Sequence, residues 1–425
     1  MVRETNKYFK FDWITIILFF LLVGFGWLNI LSASHTGTDI SYFDFSQPFG
    51  KQLIFIFLTV VLIVLLLALD AKFYERFSSI IYIFSMLSLL GLFIFGKNVN
   101  GATSWYAIGS FTIQPSEFAK AATALAVAKY ISDLNTDIKN LKDQLRTFAI
   151  ILIPAVLVLL QNDTGSTVVY GAFFFVLYRE GLPKVYLTIG IVVVLLSILA
   201  LKFGAIITTI VATLILIVFR LLNKTKISVL RSIFIIGMST ALSFGVQFFY
   251  NSILKPHQQD RISLWLRLEK DPQKLEEMKR TFAYNLNESE KAISSGGFTG
   301  KGFMEGTRTT GKFVPEQHTD YIFSTVGEEW GFLGSTLVVI LFVLLLLRVL
   351  HLAELQKSQF SRVYGYGVAS IIFFHFMINI GMVMGLIPTI GIPLPMFSYG
   401  GSGLWAFTIL LFIFIKLDSN RINEW

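Results

Sequence analysis

Long apolar stretches separated by short polar joints dominate the chain. Trp13 to Leu31, Leu53 to Leu69 and Phe323 to Leu347 approach or exceed the roughly 18–20 apolar residues that carry a helix across a bilayer. The runs are continuous and do not alternate apolar with polar, which selects helices over barrel strands. The pattern predicts an all-α polytopic membrane protein of about 10–12 transmembrane helices with one large extracytoplasmic loop. Candidate spans lie near 12–32, 51–69, 79–96, 115–131, 147–161, 165–179, 185–201, 204–221, 229–251, 322–349, 362–387 and 398–416.

Cations in the joints orient these spans. Lys72 and Arg76, then Lys139, Lys142 and Arg146, then Arg179 and Lys184 all fall on one side. Arg220, Lys224, Lys226 and Arg231 join them, as do Arg348, Lys357 and Arg362, while the short loops opposite are nearly free of cations. The positive-inside rule then places both termini in the cytoplasm. Residues 1–425 read as a single integral membrane domain, with 185–222 an extra helical hairpin turning at Lys202-Phe203. The long loop covers 252–321. Within it Leu275, Met278, Phe282 and Leu286 recur at three- and four-residue steps, which predicts a short amphipathic helix on the membrane surface. Long ordered loops are usually functional.

Composition agrees with the pattern. Hydrophobic residues make up 54% of the chain, including 42 Phe, and the mean hydropathy is +0.68. The absence of cysteine excludes disulfides and thiolate-bound metals. The basic N-terminal stretch MVRETNKYFK precedes a span too long for a signal peptide, so the first span reads as a retained anchor. The net charge of +8 resides in the joints between spans and does not point to nucleic acid.

Against this background three polar segments stand out. In Trp105 to Lys120, WYAIGSFTIQPSEFAK, Glu117 and Lys120 stand three residues apart in the first turn of a span and can pair. An intramembrane ionisable pair marks a functional site or ties helices together, and the residues alone do not choose. Gly385 to Gly403 holds three prolines and five glycines and cannot be one helix. Irregular backbone at membrane depth must line a cavity or be buried in protein. Around Ser398, Gly400, Gly401 and Ser402, N–H groups and hydroxyls can hold an anionic or sugar ligand, or simply break a helix. The third segment, Phe313 to Phe332, concentrates Glu316, His318, Asp320, Glu328 and Glu329.

Two look-alikes are set aside. GGFTGKG (Gly296 to Gly302) lacks the spacing and the following Ser or Thr of a phosphate-binding loop, and reads as a tightly turning backbone. Glu316, His318 and Asp320 would share one face if extended, yet no second histidine completes a metal set. By position, an outer cavity would be lined by Glu117, Lys120, Arg261, Asp271, Lys301, the His318–Asp320 segment and the Ser398–Ser402 turn. Cations there suit an anionic lipid head group, and carboxylates suit proton transfer or sugar hydroxyls. A transferase acting on a lipid-linked sugar and a transporter of such a lipid both fit. A transporter predicts internal repeats and mid-membrane charge, whereas here charge gathers in an outer loop, which favours chemistry at the outer face.

QPSEFAK (Gln114 to Lys120), KPHQQDRI (Lys255 to Ile262), GGFTGKG, FVPEQHTDYIFSTVGEEWGFLG (Phe313 to Gly334) and PMFSYGGSG (Pro395 to Gly403) resemble, in order, the motifs of the SEDS family (shape, elongation, division and sporulation). The rod-shape members are more similar than the division members. The resemblance runs from about residue 50 to the C-terminus. It implies a SEDS-type fold in the bacterial cell (inner) membrane. The implied activity is an inverting glycosyltransferase that polymerises lipid II into peptidoglycan at the outer face, for elongation and cell shape. A lipid II flippase and a division-specific polymerase are the alternatives. The implied partners are undecaprenyl pyrophosphate-linked glycan, a class B penicillin-binding protein and the elongation machinery.

The family's essential acid is the Asp of a DP motif in the large outer loop, which matches Asp271-Pro272 here, with Tyr284-Asn285 as the later anchor. DPQKLEEMKRTFAY is longer than the family's usual spacing and lacks its glycines. NDTGS (Asn162 to Ser166) and Gly403 also depart from the family pattern, and the 185–222 hairpin exceeds its usual span number. The resemblance implies Asp271 as general base for the attacking sugar hydroxyl, with Arg261, Lys301 and Lys120 steadying the departing pyrophosphate. Glu117 would orient Lys120, and His318, Asp320 and the Ser398–Ser402 turn would contact substrate. A divalent magnesium or manganese ion can share the pyrophosphate role, but no residue set names its site.

Overall fold

The computed structural model describes residues 11–35, 42–99, 101–109, 111–222, 228–269, 271–281 and 283–421. They form two compact units, Met1–Leu182 with Glu288–Trp425, and Pro183–Asn287. The first unit opens with α1 (Trp13–Ser34), α2 (Pro48–Ala68) and α3 (Ala71–Phe95). Local signals set their starts. The Asp12 carboxylate caps α1 by accepting from the Thr15 N–H at 2.9 Å. Pro48 takes a first-turn position in α2, where its missing N–H has no helical partner to lose.

After α3 comes a small antiparallel sheet of β1 (Lys97–Val99), β2 (Ala102–Ile108) and β3 (Phe111–Ile113), in that spatial order. Lys97 pairs with Trp105, and Tyr106 with Ile113. The sheet is a small addition to a mostly helical fold, and the reason for it is local. Thr103, Trp105, Tyr106, Thr112 and Ile113 are β-branched or aromatic, and Gly101 and Gly109 supply turns at positive φ. The Tyr106 hydroxyl donates to the Ser88 carbonyl at 2.7 Å and ties the sheet to α3.

The chain continues through α4 (Pro115–Ile131), α5 (Leu141–Leu160), the short α6 (Thr164–Val169), a tighter turn at Tyr170–Ala172 and α7 (Phe173–Arg179). The span expected at 165–179 is therefore a jointed path rather than one helix. The second unit holds α8 (Lys184–Phe203), α9 (Ala205–Leu222) and α10 (Val229–Phe248), which pack on one another, followed by α11 (Pro256–Leu266) and α12 (Pro272–Arg280). Gly204, at φ +88, separates α8 from α9. The amphipathic helix expected over 275–286 is two helices, α12 and then α13 (Tyr284–Gly296), because Thr281 leaves helical geometry at φ −106, ψ −105. Met278 is buried and Leu275 half-buried, while Phe282 lies outside the described residues.

Beyond α13 the first unit resumes with α14 (Thr307–Thr310), α15 (Ile322–Glu354), α16 (Gln359–Val383) and α17 (Gly401–Asn420). Among the described residues ten helices are long and apolar enough to cross a membrane. Of the best apolar stretch in each, 83% is buried in α17 and 67% in α16, against 22% in α3, so α16 and α17 form the centre and α3 faces outward. The alanine-rich α4 packs on α3, α5, α16 and α17, its small side chains allowing close approach. The α15 helix breaks at Gly331 (φ 60, ψ −154), whose geometry admits no side chain because a Cβ would lie 2.3 Å from the Gly300 nitrogen.

Candidate active site

In the first unit, α2, the sheet, the start of α4, the 393–400 segment and the start of α17 enclose a cavity of about 200 Å³. Lys51, Phe55, Trp105, Gln114, Glu117, Tyr399 and Phe407 are in its wall. Glu117 is brought there by Pro115, which starts α4 and fixes the direction of its first turn. Lys120, one turn on, donates to Glu117 Oε1 at 2.7 Å, with side chains only 2% and 4% exposed. The same ammonium lies 2.7 Å from His375 Nε2 on α16 and 5.8 Å from the centre of the Phe407 ring.

Since Lys120 can only donate, His375 must accept on Nε2, which leaves its proton on Nδ1 facing the Pro393 carbonyl at 3.3 Å. The imidazole stands edge-on to Phe407 at 4.9 Å. One cation is thus held by a carboxylate, a neutral imidazole and an aromatic face. The second Glu117 oxygen, Oε2, is buried with no hydrogen-bond partner among the described residues. A buried charged acceptor left unpaired is costly, so it is a ready receptor for a ligand hydroxyl, an amide or water. Lys51 adds a half-buried cation to the wall, and its ammonium has no ion-pair partner among the described residues.

The glycine-rich turn lines this cavity through Ser398, Gly400, Gly401 and Ser402, and its polar groups also brace the fold. Ser398 Oγ accepts from the Leu394 N–H at 2.9 Å and donates to the Thr319 carbonyl at 2.6 Å. The Gly400 N–H donates to Gln52 Oε1 at 3.1 Å, with φ +148 that favours glycine. Ser402 Oγ accepts from the Gln114 N–H at 3.1 Å and donates to the Thr112 carbonyl at 3.2 Å. The Gln114 side chain in turn donates to Asp163 at 2.9 Å, and Asp163 caps α6 by accepting from the Ser166 N–H. The NDTGS segment therefore supplies, through Asp163, a carboxylate that positions a cavity residue.

His318 and Asp320 join the same end. The His318 carbonyl accepts from the Tyr399 N–H at 2.9 Å, and the two rings lie 5.4 Å apart. Burial lowers the His318 pKa below the usual histidine value. The Asp320 carbonyl is held by the Asn379 amide at 2.8 Å. Burial first, and then the Glu316, Asp163 and Glu117 carboxylates, push the Asp320 acid up to about 7.

Lys301 is placed elsewhere. Its ammonium donates to Glu328 Oε1 at 2.6 Å and to Thr307 Oγ1 at 2.8 Å, and it is not part of the cavity wall. Glu328 also accepts from the Arg308 N–H at 2.9 Å and the Thr309 N–H at 2.8 Å, which anchors α14 to α15. Glu329 accepts from the Ser32 hydroxyl of α1. Both glutamates face inward, at 0% and 1% exposure, as partners of the fold.

Asp271 and Arg261 belong to the second unit. Asp271 is exposed and caps α12, its Oδ1 accepting from the Gln273 N–H at 3.0 Å ahead of Pro272. Arg261 lies in α11. The sequence reading missed His375, Lys51, Gln114 and Asp163. A lone histidine within the apolar span FFHFM was the available signal, since an ionisable residue inside a membrane needs a partner. Among the described residues no group of three or more His, Asp or Glu is arranged to hold a metal ion.

A polytopic helical membrane protein with a buried Lys–Glu–His cluster below an end cavity is the class that fold and site define. The chain belongs to the cell cycle protein family of FtsW, RodA and SpoVE, whose model matches residues 12–208 and 178–423. It is 30% identical over 440 residues to the peptidoglycan glycosyltransferase RodA of Treponema pallidum, covering 97% of this chain and 98% of that one. It is 32% identical over 392 residues to the peptidoglycan glycosyltransferase MrdB of Escherichia coli, covering 92% and 88%. Among solved structures it is similar to a chain of a peptidoglycan synthase complex that coordinates polymerization and crosslinking, at TM-score 0.73 and 24% identity, covering 98% of this chain and 99% of that one. The rod shape determining protein RodA of Thermus thermophilus matches at TM-score 0.63 and 23% identity, with the same coverage.

Proposed function

We propose that the chain is a peptidoglycan glycosyltransferase of the rod-shape type. It polymerises lipid II at the outer face of a bacterial cell membrane, with both termini in the cytoplasm, and works beside a class B penicillin-binding protein. The observation that carries this reading is the near full-length likeness to relatives named peptidoglycan glycosyltransferases. The cavity supports it, because, among the described residues, Glu117 Oε2 has no hydrogen-bond partner and Lys51 no ion-pair partner, beside apolar Phe55 and Phe407. Such a wall suits a ligand that joins sugar, pyrophosphate and lipid.

In the reaction, the 4-hydroxyl of one lipid-linked disaccharide attacks the anomeric carbon of the growing glycan, and undecaprenyl pyrophosphate leaves. A sugar hydroxyl is a poor nucleophile at neutral pH, and a positioned base contributes roughly 10²–10⁴-fold. Asp271 is assigned that role on the DP motif, and its side chain is exposed. A single displacement opposite the leaving group inverts the anomeric centre. Fixed cations stabilise the departing pyrophosphate. Lys51 serves there better than Lys120 or Lys301, whose ammonium groups are committed to Glu117 and His375 and to Glu328, and Arg261 keeps that role on its motif alone.

The test is reconstitution in liposomes with lipid II and a partner penicillin-binding protein. Glycan polymer is the expected product. Transfer of lipid II between leaflets without polymer would instead establish a transporter. Shape rescue of an elongation-deficient strain, with no rescue of a division-deficient one, is expected for the rod-shape assignment.

A further inference from the structure

A second cavity of about 250 Å³ opens in the first unit where the ends of α1 and α2 meet residues 312–318. It is separated from the first by a thin wall. His318 lines the second cavity and the next residue, Thr319, lines the first. The His318 ring lies 5.4 Å from that of Tyr399, which faces the first cavity, and the Tyr399 N–H donates to the His318 carbonyl at 2.9 Å. One backbone hydrogen bond and one ring pair therefore divide two adjoining pockets.

The second pocket differs in chemistry. Its wall offers the Gln47 amide and the Lys312 ammonium, neither with a partner among the described residues, together with the Glu316 carboxylate and the His318 ring. Its apolar members among the described residues are Ala33, Val314 and two prolines, Pro48 and Pro315, and none of these is a long side chain that would hold an acyl tail. Amide, carboxylate and ammonium groups around a flat ring suit a saccharide that carries no lipid.

The geometry points to this pocket as a binding site for lipid-free sugar units of the growing glycan, one thin wall behind the cavity that takes the lipid-linked end. The inference rests on the polymerase reading above. Holding the trailing strand keeps it from dissociating between additions, so the pocket sets strand length. A processive enzyme makes strands whose mean length follows the ratio of addition to dissociation.

The test uses full-length protein in liposomes with lipid II, comparing strand lengths on gels at matched lipid II consumption. Gln47→Trp places an indole in the pocket, and Gln47→Ala with Lys312→Ala removes two donors without filling it. Loss of two sugar hydrogen bonds raises dissociation roughly tenfold, and strands shorten by a similar factor. Strands of wild-type length in both variants overturn the inference and leave the polymerase reading intact. No polymer from wild type overturns the polymerase reading, and this inference with it. Folding is controlled by a direct readout, saturation-transfer NMR of a soluble GlcNAc–MurNAc tetrasaccharide on nanodisc-embedded protein. Transfer present in wild type and lost in the double variant supports the site, and transfer absent or unchanged rejects it.

Discussion

Replacing Glu117 by Gln isolates the cation of Lys120 inside the bundle. The ammonium is 2% exposed and sits 2.7 Å from the carboxylate, so water cannot take over the lost interaction. Removing one partner of a buried pair costs about 3–5 kcal/mol, because an uncompensated charge stays behind. Gln keeps an acceptor oxygen and His375 Nε2 still faces the ammonium, which places the expected loss near the lower limit, about 3 kcal/mol. Adding Lys120→Met removes the stranded charge and fills the same length with an apolar chain. Replacing a whole buried pair this way is often neutral or stabilising.

The double variant should therefore recover the thermal midpoint in detergent micelles that the single variant loses, while glycan synthesis from lipid II stays abolished in both. That split separates a packing role from a binding role. A double variant that polymerises at the wild-type rate would show the cluster to be only a helix tie. A double variant no more stable than Glu117→Gln would show that Lys120 is not charged and paired as the geometry implies.

Asp271→Asn should lower polymerisation by roughly 10²–10⁴-fold with unchanged stability, since Asn caps a helix as well as Asp and position 271 is exposed; wild-type turnover would remove Asp271 as base. Asp320 favours its protonated form in the folded protein, so its contribution to stability is present at acid pH and is lost as pH rises from about 4 through about 7. His318 has the opposite sign, because burial favours its neutral form and its contribution is lost as pH falls. Asp320→Asn should flatten the fall in unfolding midpoint between those limits, and an unaltered slope would reject the assignment. Gly300→Ala puts a Cβ 2.1 Å from the Glu329 carbonyl at φ +82 and should cost about 3 kcal/mol or more, read from the midpoint in micelles.

The spans were legible because a bilayer demands long apolar runs and the chain supplies them without interruption. What escaped was set by contacts distant in sequence. His375 meets Lys120 across 255 positions, and nothing in FFHFM names that partner. Lys301 looked like a free cation in a glycine loop, while its partner Glu328 lies 27 residues on in the following helix. The sheet was locally readable, with β-branched and aromatic residues between glycines, but so short a run is easily absorbed into a loop between two strong helices. Ser398, Gly400 and Ser402 stand together in the sequence, whereas only the structure shows their polar groups engaged with Thr319, Gln52 and Thr112.

The glycine loop 296–302 explains why the acidic block ending in EEWGF is structural at its helical end. At Gly331 the α15 backbone leaves helical geometry, and within a membrane freed N–H groups cannot turn to water. The loop supplies the missing acceptors, the Gly297 carbonyl taking the Phe332 N–H at 2.9 Å and the Phe298 carbonyl the Leu333 N–H at 3.1 Å. It donates in return, the Lys301 and Gly302 N–H groups reaching the Glu328 and Glu329 carbonyls at 3.1 and 3.0 Å. Backbone meets backbone so closely that a Cβ at Gly296 would lie 2.0 Å from the Gly327 oxygen, which is why the motif is rich in glycine. Glu328 then clamps Lys301 and α14 against the break. The seam fixes the stretch that leads into residues 312–320, so His318 and Thr319 face their two cavities from a rigid support.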